Sequence, residues 1–381
     1  MQLMLPIPLC EPNLSGNEWQ YVKESLDSNW LSGGSFLKKF EESVVEYTGA
    51  TYAVGISSGT TALHIALLLA GVQRDDLVIT TNLSFVATAN AIKYTGADPI
   101  FLDIEPETWL LDIKLLAEFL EKQCYVEGQS CFHKATNRRI SAVVPVHILG
   151  NMPDMTELGA LADLYYLALV EDAAESLGSF YKGQHSGTFG EAGTLSFNSN
   201  KIITTAGGGM LLANNEQAAK RAKHLITQAK SSTLEYLHDE VGYNYRLVNP
   251  LAAIGLAQME QLPRFVEKKK EIAGLYTQQL SILPEIKFQK ITSDVNSNYW
   301  HFVILVKNSR ELIQFLATHS IETRPLWIPL NELPPYRNDL YISNENHTQQ
   351  VAYQGIMLPC STSITLEQIA FVGEKIIEYY P

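Results

Sequence analysis

Four short apolar runs, DLVIT (76–80), DPIFLD (98–103), ISAVVPVH (140–147) and YLALVED (166–172), recur along the chain with helix-like stretches between them. A strand without polar alternation is buried on both faces. Such strands alternating with helices build an α/β domain around a largely parallel sheet. The intervening stretches include VATANAIKYTG and DMTELGALADLYY. Upstream, SSGTTALHIALLLAGV reads as a tight turn and then a buried helix from Gly59 to about Leu69. Ser15 and Glu18 in SGNEWQYVKESLDS have capping-box spacing and predict a helix start there. CYVEGQSCFHKATNRR (124–139) is polar and aperiodic, a surface hairpin or loop.

After a long helical tract at 247–280 the pattern changes. YWHFVILV (299–306) reads as a strand, SRELIQFLATHS as a helix and ITLEQIAFVGEKIIEYY as a terminal helix. The expected division is a large α/β domain over 1–250, which includes the N-terminal helix and loop, and a small α+β domain over 251–381. A chain of 381 residues has room for both. Its formal charge is −13 and it has no basic block, which argues against a nucleic-acid surface. Cys10, Cys124, Cys131 and Cys360 are scattered without metal-ligand spacing, so no metal and no disulfide framework is expected, and a reducing cytoplasm fits. The first residues lack the basic and apolar regions of a signal peptide. No apolar run reaches the roughly 18–20 residues that cross a bilayer. Neither GxGxxG nor GxxxxGK[ST] occurs, which removes the dinucleotide and P-loop readings.

Lys201 lies in GTLSFNSNKIITTAGGGM, between an amide-rich turn and a glycine run, with no acid nearby in sequence. Asp172 ends an apolar strand, where ligand sites of open α/β sheets gather. Asp172 and Glu175 on their own read equally as caps of a following helix. The combination with a lysine 29 residues further on is more informative.

The segments SSGTTALH, SFVATANAI, EDAAESLGS, GTFGEAGTLSFNSNKIITTAGGGM, GYNYRLVN and ETRPLW together resemble fold-type-I (aspartate aminotransferase-like) enzymes that use pyridoxal 5′-phosphate (PLP/PMP). More closely the chain is similar to the DegT/StrS type of sugar-nucleotide aminotransferase. That resemblance implies that Lys201 binds the cofactor covalently and acts as the catalytic base. Asp172 then opposes the pyridine nitrogen, which must stay protonated for the ring to accept electrons. Glu175 lies by the ring's phenolic oxygen, a place where the family often has Gln or His. Gly59, Thr60 and Ser196 hold the phosphate, Phe85 stacks on the ring, and Asn244 reaches the cofactor of a partner subunit, so a homodimer with shared active sites is implied. Gly207–Gly209 let the backbone pass close to the cofactor, or form an ordinary strand-end turn.

On the substrate side the resemblance implies L-glutamate as donor and a nucleotide-linked ketosugar as acceptor. Arg324 is the candidate for their anionic groups and Trp327 for an apolar wall. Arg246 either contributes or braces the subunit interface. His147 either contacts substrate or is a satisfied core histidine. Trp30, Leu31 and Ser32 belong to a loop expected over the sugar. Within the family the likeness is to enzymes aminating C4 of UDP-linked 4-keto-6-deoxy-N-acetylhexosamines on bacillosamine or legionaminic acid routes. Ile328 and Asn331 depart from the Lys and His common there. The alternatives are a dTDP- or GDP-linked ketosugar, a PLP-binding sensor without turnover, and a PLP-dependent dehydratase. The last would need His where Lys201 stands.

Overall fold

A computed structural model describes residues 6–380. The apolar runs become neighbouring strands of a ten-stranded sheet. Its main path is Tyr52–Ile56, Gly209–Ala213, Ala192–Ser196, Ala168–Asp172, Arg139–Val144, Leu77–Thr81, Asp98–Leu102 and Leu340–Ile342. From Ala192–Ser196 to Leu340–Ile342 every pairing on this path is parallel, whereas Gly209–Ala213 runs against both of its neighbours. The hairpin Cys124–Glu127/Ser130–His133 extends the sheet from Arg139–Val144, so the polar stretch 124–139 is a hairpin. Its Cys124 and Cys131 are nevertheless buried.

Both faces of the sheet are covered, as unbroken apolar strands require. Val54, Ile56, Val78, Ala142, Val170 and Leu211 pack on the helix Gly59–Leu69. The residues one step along these strands point the other way: Leu77, Ile79, Val143 and Leu169 meet Leu115, Phe119 and Leu158. Ala53, Met210 and Leu212 meet Phe40, Val44 and Phe265.

The long helical tract is two helices, Asn249–Met259 and Leu262–Leu280. Beyond it, Lys287–Phe288, Phe302–Leu305, Gly355–Leu358 and Arg324–Pro325 form an antiparallel sheet. The helices Leu262–Leu280, Ser309–Thr318 and Leu366–Tyr379 supply side chains to its core. Two segments cross between the sheets. Leu340–Ile342 pairs with Ile100–Leu102 on the edge of the large sheet. Ile7 bridges Ile321 and is buried in the core of the small sheet.

The first helix starts at Glu18, but Ser15 does not cap it. The Ser15 hydroxyl goes to Gln261, and no side chain caps the helix. Glu18 turns back instead, to the Gly16 N–H at 2.8 Å and to the Gln258 amide. No helix among the described residues is long and apolar enough to cross a membrane.

Candidate active site

The carboxyl ends of the parallel strands open into a cavity of about 580 Å³ between the two sheets. Asp172 ends its strand on this rim. Its Oδ1 accepts the Ala174 N–H at 3.2 Å, and its Oδ2 accepts the Thr88 hydroxyl at 2.7 Å. Thr88 lies in the first turn of the helix Ala87–Tyr94, so the carboxylate is held from two elements.

Lys201 follows the strand Ala192–Ser196 through a turn closed by its N–H to Asn198 O. Its Nζ lies 3.7 Å from Glu175 Oε1 and 3.8 Å from the centre of the Trp300 ring. The Trp300 indole N–H donates to Asn200 O at 2.7 Å, which fixes both the ring and the backbone entering the lysine. Burial disfavours the ammonium and lowers the Lys201 pKa, against the pull of Glu175 and Asp172. Glu175 is pushed up to about 7, again chiefly by burial. The acids absent from the surroundings of Lys201 in the chain are thus brought to it by the fold.

The opposite wall is the N-terminus of the helix Gly59–Leu69. Ser58 and Thr61 cap each other there, and the first amides of the helix have no partner within it. An anion fits such a place. A Cβ on Gly59 would lie 2.7 Å from Ser196 Cβ and 3.0 Å from its Oγ, so glycine lets the serine stand against the turn. One on Gly209 would meet Ser58 backbone atoms at 2.4 Å. Gly209 thus packs against this turn, while Gly207 and Gly208 line the cavity.

Phe85 stands exposed at the cavity, and Arg324 and Trp327 line it. Arg324 is held by Glu322 at 3.0 Å, whose other oxygen takes the Leu9 N–H. The fold thus gathers Gly59, Thr60, Phe85, Asp172, Glu175, Ser196, Lys201, Arg324 and Trp327 around one space.

It does not gather the rest. Asn244 and Arg246 are exposed outside this cavity, and the Arg246 guanidinium donates to Ser32 O at 3.3 Å. Trp30 and Leu31 are exposed on the loop between the first two helices. His147 is a core histidine that does not line this cavity. It is fully buried, with Nε2 2.8 Å from Glu171. Glu171 also accepts the N–H groups of Gly187, Phe189 and Gly190, so this pair braces the strand behind Asp172.

Sequence reasoning missed Thr88, Trp300, His301, Glu322, Leu9 and Cys10, all of which line the cavity. Thr88 lies inside a quoted motif. Glu322 lies inside another, ETRPLW, and Trp300 and His301 lie inside the run read as a strand, while Leu9 and Cys10 lie in neither and are brought to Lys201 by tertiary folding.

A buried lysine facing two carboxylates, beside an anion-ready helix start in an α/β sheet, defines an enzyme of amino-group chemistry. Comparison with known proteins makes this specific. The model of the DegT/DnrJ/EryC1/StrS aminotransferase family matches residues 12–377, and the chain belongs to that family. A GDP-perosamine synthase of Escherichia coli O157:H7 is 39% identical over 380 residues, 98% of either chain. EpsN of Bacillus subtilis (strain 168), provisionally named a pyridoxal phosphate-dependent aminotransferase, is 38% identical over 381 residues, covering 98% of this chain and 96% of its own. The crystal structure of the aminotransferase TlmJ from Streptoalloteichus hindustanus superposes with a TM-score of 0.87 at 27% identity, covering 97% of each chain. The chain is accordingly an aminotransferase with the expected α/β fold.

Proposed function

We propose that the protein is a pyridoxal 5′-phosphate-dependent aminotransferase that moves the amino group of L-glutamate to the C4 keto carbon of a nucleotide-linked 4-keto-6-deoxyhexose. The cofactor, when bound, supplies an electron sink that stabilises negative charge at the carbon losing or gaining nitrogen. The observation that carries this reading is the enclosure of Lys201 Nζ with Asp172 and Glu175 in one cavity.

The residues present fit the cofactor. Asp172, steadied by Thr88 and Ala174, is suited to hold a proton on the ring nitrogen. The amides of Gly59 and Thr60 and the hydroxyl of Ser196 suit its phosphate. Phe85 is placed to cover the ring, and Lys201, kept from water by Trp300, provides the amine. Arg324 and Trp327 stand where a carboxylate or diphosphate and a sugar would enter.

The active unit in this reading is a homodimer. Trp30, Leu234, Tyr236 and Val241 expose large apolar surface, and Asn244 and Arg246 are exposed as well, which suits a second copy that completes each site. The four free cysteines accord with a cytoplasmic enzyme.

The family relationship covers the amination of sugars, and the name of the Escherichia coli relative favours a GDP carrier over the UDP-linked N-acetylhexosamine expected from motifs. Position 331 bears on this point too. Asn331, where the likeness to UDP-type enzymes implies a His, is tied to Asn82 by two hydrogen bonds of 2.8 and 2.9 Å. The test is incubation with L-glutamate and, separately, a GDP-linked 4-keto-6-deoxyhexose and a UDP-linked 4-keto-6-deoxy-N-acetylhexosamine, with products identified by mass and NMR. Conversion of the GDP sugar, abolished in Lys201→Ala, supports the proposal. Conversion of the UDP sugar alone rejects the GDP carrier. Cofactor binding without turnover of either sugar would favour a sensor.

A further inference from the structure

Lys201 and Glu175 form a pair that the fold seals from water, their side chains 12% and 4% exposed. Glu175 Oε1 points at the amine, while Oε2 accepts the Leu149 N–H at 2.9 Å. Leu149 has φ +59°, a left-handed conformation that turns its amide inward, so the carboxyl cannot swing off the lysine without losing this bond. Where water is excluded, both charges of an ion pair are costly, and a neutral amine beside a neutral acid becomes competitive with them.

We propose that Glu175 is a catalytic residue that accepts the proton of Lys201 and so makes the amine a nucleophile. This rests on the pyridoxal phosphate reading above. The Nζ–H bond breaks with its electron pair left on nitrogen, an Oε1–H bond forms, and the charge of the cavity is unchanged. For the transfer the pair, 3.7 Å apart, must close to hydrogen-bond length.

The other groups facing the amine are poor acceptors. Asp172 already receives the Thr88 hydroxyl and the Ala174 N–H. Burial, with Lys269 and Lys201 close by, holds His301 well below the ordinary histidine range. The Cys10 thiol, pushed up to about 11 by burial, keeps its own proton. Trp300 offers only a ring face, which favours the ammonium. Burial acts on the proposed pair in the opposite sense, lowering the lysine and raising the acid, so both members lean toward the neutral form. Glutamine in place of Glu175 would accept a hydrogen bond but could not take a proton. The route therefore belongs to a chain with a carboxyl here.

The test compares cofactor-free wild type with Glu175→Gln, which preserves shape and the bond to Leu149. Each is mixed with pyridoxal 5′-phosphate from about pH 5 to about pH 8, a span around the usual titration of a buried acid. Attachment is followed by visible absorbance, and borohydride reduction with mass spectrometry locates the bound group. The ionisations of the cofactor are common to both proteins, so the ratio of rates isolates the pair. While lysine and acid share one proton, the neutral-amine fraction in wild type is independent of pH. In the variant the proton must leave to water, and the rate climbs about tenfold per pH unit below the amine's pKa. The wild-type to variant ratio is therefore expected to fall as pH rises, and Glu175→Asp, which restores an acid, is expected to recover the wild-type slope. A constant ratio with both proteins labelled at Lys201, or an aspartate variant that follows the glutamine slope, overturns the proposal. If nothing is trapped on wild-type Lys201, the cofactor reading itself falls, and this proposal with it.

Discussion

Alanine at position 209 is a one-carbon change that reaches the helix start proposed to hold the cofactor's phosphate. Gly209 lies opposite Ile56 on one side and Ser196 on the other, at the first residue of its strand. An added Cβ would lie 2.4 Å from Ser58 C and O and 2.7 Å from Gly59 N, all backbone atoms that cannot rotate away. Ordinary contact begins at 3.4 Å, so strand and turn must part by about 1 Å. Overpacking of this kind costs about 1–3 kcal/mol. Displacing a positioning element by about 1 Å can cost about a hundredfold in rate. Gly207 is the internal control, because it lines the same cavity and nothing lies within 4 Å of a Cβ added there. Gly209→Ala is expected to bind pyridoxal phosphate at least about tenfold more weakly, about 1.4 kcal/mol, in an absorbance titration. It should also melt a few degrees below wild type, while Gly207→Ala melts with wild type. Wild-type affinity and melting temperature in Gly209→Ala would refute both the steric argument and the placing of the phosphate at this turn.

Thr88→Val keeps the shape of the side chain but removes the donor to Asp172, and should cost about 1.5–3 kcal/mol, read as a lower denaturant midpoint at unchanged slope. Glu171→Gln sets an amide N–H against at least one of the donors now bound by the carboxylate, namely the Gly187, Phe189 and Gly190 amides and the His147 ring. A loss of at least about 2 kcal/mol is expected in the same assay. Burial holds His64 and His185 down at about 4, from an ordinary value of 6.5. Between those values the unfolded chain binds protons that the folded chain does not, so stability falls as pH drops from about 6.5 toward about 4. Melting curves across that window should show the decline, and His64→Phe should make it shallower.

The parallel strands were legible because their apolar runs leave no face for water, and Asp172, Lys201 and Gly59 were legible because each sits at a strand or helix end with an unusual neighbourhood. Leu340–Ile342 carries no such run and is only half-buried, so nothing local marks it as a sheet edge. Trp300 acquires its significance from Lys201, far off in sequence, and Glu322 acquires its own from the bond to Arg324, which the motif does not announce. The Ser15 cap failed because Gln261 competes for its hydroxyl. His147 went to the core because a buried Glu171 carboxylate, one residue before Asp172, needs a partner.

The pairing of Ile100–Leu102 with Leu340–Ile342 also bears on how the polypeptide matures on the ribosome. Until residue 342 has emerged, the strand Asp98–Leu102 presents an open row of amides and carbonyls, a template for intermolecular association. A truncated product ending near residue 250 is therefore expected to clump unless chaperones shield that border, whereas the full-length translation product closes it with its own late segment.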